Sequence, residues 1–258
     1  MKISLMSIVC IIGLAVTIWP KSMLGQNQID TQNNSWYMYF GNHRITEKWG
    51  VHTEYQWRRS GWGEKWQQSL ARVGVDYYFA AGPQVSSGYG WIVSYPYGKQ
   101  PASSTVQEHR IWQQLILNQS YWRLYFNHRF RLEQRFLENM VANENGDFYR
   151  DGFNFRNRAR YRFMISVPLT RSKMEDNTLF LSVYDELFVG FGKGIGKNIL
   201  DQNRLFAALG WRFNKNFNAQ IGYLNHYVIK SDGIHHERNH TLQVSISYNL
   251  DFRKPKSQ

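Results

Sequence analysis

The chain has 258 residues, with 31 lysines and arginines against 19 aspartates and glutamates, and a formal net charge of +12. After an apolar N-terminal segment it contains no further run of about eighteen apolar residues, which excludes a later helical membrane span. The mean hydropathy of -0.53 argues against a multi-helix membrane protein. It does not argue against a β-barrel, in which every second residue is polar.

Residues 1–25 have the layout of a secretory signal peptide. Lys2 precedes a long apolar run, and Gly25 is a small residue suited to cleavage. We expect cleavage after Gly25; an uncleaved membrane anchor is the alternative, because the run is long and residues 19–21 form an unusual ending. The only cysteine, Cys10, lies inside this segment, so the mature chain would have neither disulfides nor cysteine-ligated metal.

Apolar and polar residues alternate along most of the remaining chain. This pattern predicts extended strands, because successive side chains of a strand point to opposite faces. It is longest over residues 122–136, where Phe130 and Leu132 belong to the apolar series and Arg129 and Arg131 to the polar one. Ten of the predicted strands are residues 36–42, 51–58, 71–79, 85–95, 108–117, 122–136, 155–165, 179–189, 205–213 and 241–252.

The connections alternate between tight turns and longer polar loops, as in a transmembrane antiparallel up-and-down β-barrel. Turns are predicted at residues 80–83, 118–120 and 214–216, and loops at residues 96–105, 137–152, 190–203 and 231–239, with residues 168–177 long for a turn. We count about eleven strands and, because closed bacterial barrels have an even number, expect ten or twelve, with twelve favoured. The barrel would occupy residues 35–252, between a short lead (26–34) and a basic tail (253–258).

A soluble β-sandwich or lipocalin-like barrel is the alternative fold, because its strands alternate too. Strands as long as residues 122–136 exceed the roughly 3–10 residues usual in soluble proteins. The polar series also lacks the large apolar residues that a soluble core needs. An aromatic content of 16% is typical of the interfacial girdles that flank the apolar band of a membrane barrel. These features favour the membrane barrel.

Residues 128–136 read HRFRLEQRF. This segment resembles the H-R-x-R-x-E-Q-R signature of the outer-membrane β-barrels grouped as domain-of-unknown-function family 2490. Residues 108–114, 156–162 and 184–188 add to the resemblance, which extends over about residues 36–252. The resemblance implies an outer-membrane barrel of a Gram-negative bacterium. It implies no reaction, because the family has no established activity.

The polar series would face the barrel interior, and it is rich in arginine. Its basic members are Arg58, Arg72, Arg110, Arg123, Arg129, Arg131, Arg135, Arg156, Arg158, Arg160, Arg162 and Arg212. Its acidic members are Glu54, Asp76, Glu108, Glu133 and Glu186. If segments 122–136 and 155–165 are neighbours, two arginine ladders lie side by side, which destabilises a sheet unless acids intervene. Carboxylates match the guanidinium fork, so Glu108, Glu133 and Glu186 are the expected bidentate partners.

We therefore predict a charge network in the lumen as the candidate site. It comprises Glu108, Arg110, Arg129, Arg131, Glu133, Arg135, Arg156, Arg158, Arg160, Arg162 and Glu186. The favoured interpretation is a structural or small-solute barrel that this network keeps rigid. The alternative is a small anion-selective pore or an anion-binding barrel, since rings of arginine select anions in such pores.

A lipid-modifying enzyme is a third alternative, because His109 and His128 lie on the otherwise apolar series. Nucleophilic catalysis needs a hydroxyl within hydrogen-bond reach of a base. No serine lies two residues from either histidine on the same face. We expect each histidine to lie near the lipid headgroups or to pack on a neighbouring aromatic ring, and we expect no enzymatic activity, no cofactor and no metal site.

The compartment suggests the partners. A chain exported to the outer membrane would contact outer-membrane lipids and lipopolysaccharide, and the barrel-assembly machinery during biogenesis. Small anions are a further candidate partner. Nucleic acid is not an expected partner of an exported barrel, so the basic balance is better explained by the lumen or by anionic lipid phosphates.

Overall fold

The computed structural model describes residues 28–99 and 102–253, so the expected signal peptide and most of the expected basic tail lie outside the described residues. Eleven strands are present there: β1 Gln28–Arg44, β2 Trp49–Ser60, β3 Lys65–Tyr78, β4 Gln84–Ser94, β5 Val106–Tyr121, β6 Leu124–Ala142, β7 Phe148–Pro168, β8 Thr178–Phe191, β9 Leu200–Asn214, β10 Phe217–Ile229 and β11 His235–Tyr248. A 3-10 turn, Gly61–Gly63, joins β2 to β3. Within these ranges, no helix is long and apolar enough to cross a membrane.

The strands form one closed barrel in which neighbours in the chain are neighbours in the sheet. Consecutive strands are antiparallel, whereas β1 and β11 pair in parallel, with Trp36 opposite Gln243. The expected all-β up-and-down barrel is confirmed. The even strand number, the favoured count of twelve and antiparallel pairing throughout are wrong. With eleven strands the first and last run in the same direction, so only a parallel pair can close the sheet.

Several strand boundaries differ from the expectation. Strand β1 begins at Gln28, inside the stretch expected to be a lead, and β11 ends at Tyr248, four residues before the expected end. Strand β10 (Phe217–Ile229) lies between the turn predicted at residues 214–216 and the loop predicted at residues 231–239. The first strand of the barrel therefore begins before the predicted domain (residues 35–252), and the last strand ends before the end of that domain.

The hairpin between β5 and β6 turns later than expected. Residues 118–120 continue β5, and the turn consists of Trp122 and Arg123. Trp122 has φ 55°, in the left-handed region, which reverses the chain there. Arg123, expected to point inward, instead donates from Nη2 to the carbonyl oxygens of Pro168 at 2.6 Å and of Arg171 at 3.0 Å.

The connections lie alternately at the two ends of the barrel. One end, called the long-loop end, carries residues 61–64, 95–99, 102–105, 143–147, 192–199 and 230–234 and the start of β1. The other, called the short-turn end, carries residues 45–48, 79–83, 122–123, 169–177 and 215–216 and the end of β11. The expected loops 137–152 and 190–203 are shorter than predicted, because β6, β7, β8 and β9 continue into them.

The barrel buries its polar residues and exposes its apolar ones. Across the described ranges, 33 polar or charged residues are buried against ten hydrophobic ones. In β6, Arg131 and Glu133 are 3% and 1% exposed, whereas Phe130 and Leu132 are 44% and 47% exposed. The assignment of the two faces from the alternation is therefore confirmed. This polarity is the reverse of the apolar interior that holds a soluble β-sandwich together.

Inward glycines make room for the largest inward side chains. Gly74 lies opposite Gly88, and the Trp112 ring lies over both. A Cβ atom at Gly74 would be 2.7 Å from Trp112 Cζ2, and one at Gly88 would be 2.8 Å from it. Glycine at these two positions therefore lets an indole ring fit across the lumen wall.

Candidate functional site

The two arginine-rich strands are neighbours in the barrel. In the β6–β7 pair, Arg129 lies opposite Arg162 and Arg131 opposite Arg160. Arginines thus face one another across the sheet, as expected from the sequence. At the next inward position Glu133 occurs in place of an arginine, so the ladder alternates in charge there. The acid lies directly opposite Arg158 of β7, where it can neutralise that guanidinium group.

Glu133 is the centre of the network. Its Oε2 atom accepts hydrogen bonds from Arg158 Nε at 2.9 Å and Nη2 at 2.7 Å. Its Oε1 atom accepts from Arg160 Nη1 at 2.8 Å. Arg72 Nη2 and Arg110 Nη1 also reach Oε1, each at 3.3 Å. One buried carboxylate therefore compensates four guanidinium groups from β3, β5 and β7.

The other predicted acids also bind arginines. Glu186 Oε1 accepts from Arg129 Nη2 and Arg160 Nη2, each at 2.8 Å. Glu108 receives a two-pronged pair from Arg135, with Nε 2.7 Å from Oε1 and Nη2 2.9 Å from Oε2. A guanidinium fork matches a carboxylate in this way, which fixes the orientation of both groups. These contacts link strands β5 to β8 into one network.

Two acids outside the predicted set complete these contacts. Glu54 on β2 accepts from Arg72 Nη1 at 2.6 Å, and Asp201 on β9 accepts from Arg158 Nη1 at 2.8 Å. Glu54 belonged to the inward series but not to the predicted site, and Asp201 lay in a predicted loop. Extending the β9 alternation backward from Phe206 would have placed Arg204 on the inward face.

Some arginines of the lumen have no ion pair. Within the described residues, Arg58, Arg162 and Arg204 have no carboxylate oxygen within 4.0 Å, and Arg131 approaches only Glu54, at 3.9 Å. Arg156, although predicted to join the network, likewise forms no ion pair with the residues described. Nine of the eleven predicted residues are therefore joined by ion pairs, and Arg156 and Arg162 are not.

The lumen contains a cavity of about 180 Å³ beside the network. The basic residues lining it are Arg58, Arg72, Arg110, Arg129, Arg131, Arg135, Arg158, Arg160, Arg162, Arg204 and Lys230. At the long-loop end Tyr97 also lines the cavity, and its hydroxyl donates to Glu237 Oε2 at 3.2 Å. Burial and the Glu237 carboxylate raise the pKa of Tyr97, so the hydroxyl remains a donor.

One wall of the lumen is apolar. Trp36, Tyr184, Phe206 and Leu224 form a buried cluster there, together with Ala208. Side chains therefore fill much of the interior between the apolar cluster and the charge network. The cavity is the space that these side chains leave, and it is small compared with the aqueous channel of a porin of 16–18 strands.

The two histidines predicted on the apolar series, His109 and His128, bind tyrosines. His109 Nδ1 is 2.5 Å from the Tyr89 hydroxyl, and His128 Nδ1 is 2.9 Å from the Tyr161 hydroxyl. Each histidine also stacks on its tyrosine, with ring centroids 6.0 and 6.2 Å apart. In the described part of the chain neither histidine hydrogen-bonds to a serine, and the acidic, histidine and cysteine side chains form no metal-binding group. Packing on aromatic rings, expected for these histidines, is confirmed.

Neither the curated proteins nor the solved structures include a significant match to this chain. A family model described as a protein of unknown function (DUF2490) matches residues 33–250. This range contains every strand from β2 to β11, most of β1 and the whole charge network. The chain therefore belongs to the DUF2490 family, as its sequence resemblance indicated.

Proposed function

We propose that this protein is an outer-membrane β-barrel of a Gram-negative bacterium, delivered by a cleaved signal peptide, with a structural or small-solute role. The outward apolar surface carries this proposal. Large hydrophobic side chains such as Val73, Val75, Leu209 and Ile221 are 51–53% exposed on the outside of a closed barrel. Such a surface is unfavourable in water and suited to lipid, and a closed barrel leaves no unpaired strand edge within the membrane.

Aromatic rings near both barrel ends support the same proposal. Toward the short-turn end Trp49 packs on Tyr77, with ring centroids 4.8 Å apart. Toward the long-loop end Trp57 packs on Trp66, with centroids 5.9 Å apart. Trp49 and Trp57 lie on the same face of β2, about 26 Å apart along the strand at roughly 3.3 Å per residue. Strand tilt of about 40° shortens this to roughly 20 Å of height, close to the apolar band of about 25 Å in known barrels.

The charge network supports a rigid lumen. A buried ion pair stabilises a protein only when its geometry and hydrogen bonds offset the desolvation of both charges. Glu133, Glu186 and Glu108 meet that condition, because each accepts hydrogen bonds from two or more arginines. These bonds hold side chains from opposite walls at defined distances. We propose that they keep the barrel rigid and perform no reaction.

A small anion-selective pore is the second candidate function. It is favoured by the charge of the cavity lining, which includes eleven basic residues but only three acidic ones. The three further carboxylates that pair with lining arginines, Glu108, Glu133 and Asp201, reduce the net excess to five positive charges. Excess positive charge in a confined lumen attracts anions and repels cations.

The proposed compartment also suggests partners. Outer-membrane lipids and lipopolysaccharide would cover the exposed apolar belt, and the barrel-assembly machinery would insert the chain. Small anions are the proposed solutes. Part of the excess positive charge lies in the lumen, which is too narrow for nucleic acid, so the basic composition gives no reason to propose a nucleic-acid partner.

Membrane fractionation tests the proposal. The full chain, expressed in a Gram-negative host, is expected in the outer-membrane fraction after a urea wash and to migrate faster on gels when unheated than when boiled. Recovery in the soluble periplasmic fraction would overturn it. Planar-bilayer conductance in a salt gradient then separates the two roles. Discrete anion-selective openings are expected if the protein is a pore. No channel current from folded protein is expected if it is a structural barrel.

A further inference from the structure

Arg58 is a buried cation held only by neutral groups. Its guanidinium carbon is 3.9 Å from the centre of the Trp36 ring. Its Nη1 atom donates to Gln68 Oε1 at 2.8 Å, and Nε donates to Gln56 Oε1 at 3.0 Å. Arg58 is only 7% exposed, and no carboxylate oxygen of the described residues lies within 4.0 Å of its side chain. The charge of Arg58 is therefore solvated by amides and an aromatic face but not balanced.

Arg204 meets the same ring from β9. Its guanidinium carbon is 5.0 Å from the centre of the Trp36 ring and 4.4 Å from that of Phe188. Its Nη2 atom donates to Gln202 Oε1 at 2.9 Å, whereas its buried Nε atom has no hydrogen-bond partner among the residues described. A buried N–H group without an acceptor is destabilising, and a bound acceptor would remove that penalty.

Two uncompensated guanidinium groups that line the cavity thus approach the same aromatic ring. An arginine side chain does not lose its proton in proteins, so the repulsion between Arg58 and Arg204 is relieved only by an anion or by water. His226 packs edge-on against the same ring, with centroids 5.1 Å apart, and its Nδ1 atom is also buried without a partner in the described structure. Three nitrogen-bearing groups therefore surround Trp36, and none of them contacts an acid.

We propose that Arg58 and Arg204, which both line the cavity and both approach the Trp36 ring, form the binding site for a small oxyanion with phosphate or carboxylate oxygens. Guanidinium groups bind such oxygens through two parallel N–H groups. The cavity volume of 180 Å³ equals about six waters at roughly 30 Å³ each, enough for a phosphate ion or a short dicarboxylate. This site deepens the small-solute part of the proposed function and rests on it only for the route by which the anion enters.

The test is calorimetric titration of the full chain, refolded in detergent, with inorganic phosphate and then malonate at constant ionic strength set with chloride. Folding is checked first by heat-modifiable migration, so a failure to bind counts against the site and not against the barrel. Saturable binding of phosphate or malonate is expected. If neither anion binds beyond chloride, the proposal is overturned.

Three variants locate the binding. Arg58→Gln and Arg204→Gln are each expected to weaken anion binding at least tenfold, because each removes one of the two guanidinium groups of the proposed site. Arg238→Gln removes one positive charge from the exposed outward face of β11 and is expected to bind as the wild type does. Equal weakening in all three variants, or unchanged binding in both lumen variants, would contradict the assignment. If Arg204→Gln fails to fold, the anion affinity of Arg58→Gln alone tests the assignment.

A phosphate group could also come from a lipid. In a further titration, micelles containing an anionic phospholipid are added to the chain with inorganic phosphate already bound. Competition between the phospholipid and bound phosphate would identify a lipid headgroup as the source of the oxyanion. Phosphate binding that the phospholipid does not affect would identify a free anion in the lumen. Both results support an oxyanion-binding site. In both cases the binding must be weakened in Arg204→Gln or Arg58→Gln.

Discussion

Glu133 on β6 and Arg158 on β7 lie directly opposite each other, and two guanidinium nitrogens of Arg158 donate to Glu133 Oε2 at 2.9 and 2.7 Å. The pair interrupts a run of facing arginines at the one inward position of this hairpin occupied by an acid. Because Glu133 also contacts Arg72, Arg110 and Arg160, its loss affects a second arginine of β7 and two further strands of the barrel wall, β3 and β5. The acid is therefore the point on which the network depends most.

Glu133→Ala is expected to destabilise the barrel strongly. It leaves four buried guanidinium groups without their shared carboxylate, and breaking one buried pair usually lowers the free energy of unfolding by about 3–5 kcal/mol. Thermal unfolding of the refolded chain in detergent measures the effect. Glu144→Ala, in the exposed loop at residues 143–147, removes an acid without a lumen contact and is the control. Equal unfolding temperatures for the two variants would show that the network contributes nothing.

Arg72→Gln and Arg58→Gln are expected to differ although both remove a buried inward arginine. Arg72 binds Glu54 at 2.6 Å and Glu133 at 3.3 Å, so its loss weakens two buried pairs and lowers the free energy of unfolding by about 3 kcal/mol or more. Arg58 binds only amides and the Trp36 face, so its loss affects no acid directly. Urea unfolding of both variants in the same detergent makes the comparison, and a larger effect of Arg58→Gln would reverse our ranking.

Gly74→Ala is expected to lower stability by about 1–3 kcal/mol through overpacking. A Cβ atom there would be 2.7 Å from both Trp112 Cζ2 and the Ser87 carbonyl oxygen. Combining it with Trp112→Leu removes the ring and should give a smaller loss than the sum of the single variants. Gly90→Ala is the matched control, because its nearest neighbour is a flexible Arg72 methylene at 3.0 Å. Strict additivity in the double variant would show that the ring is not what excludes the methyl group.

Peptide tags test the orientation that follows from the proposed membrane location. A tag in residues 143–147 lies at the long-loop end, and a tag in residues 169–177 lies at the short-turn end. Long loops of bacterial barrels face outward, so antibody should label intact cells carrying the first tag and only permeabilised cells carrying the second. Labelling of both tags on intact cells would contradict a membrane-spanning barrel, and the reverse pattern would contradict its orientation.

The faces of the strands follow from the sequence because a period of two is a local property. Arg129, Arg131 and Glu133 alternate with Phe130 and Leu132, and any extended backbone must separate the two sets. The neighbouring arginine ladders follow once the two strands are joined by a hairpin, whereas the pairing of Glu133 with Arg158 depends on the register of the strands. Asp201 and Arg204 were missed, because the alternation weakens where β9 emerges from a glycine-rich loop.

The alternation and the family signature by themselves determined an all-β barrel with an arginine-rich interior. Strand number and closure depended on the tertiary structure, because they are set by contacts between residues distant in the chain, such as Trp36 and Gln243. The same holds for the unbalanced pair of Arg58 and Arg204, which meet at Trp36 from β2 and β9. A sequence pattern shows which side chains point inward, but only the closed barrel decides which of them share an acid and which are left without one.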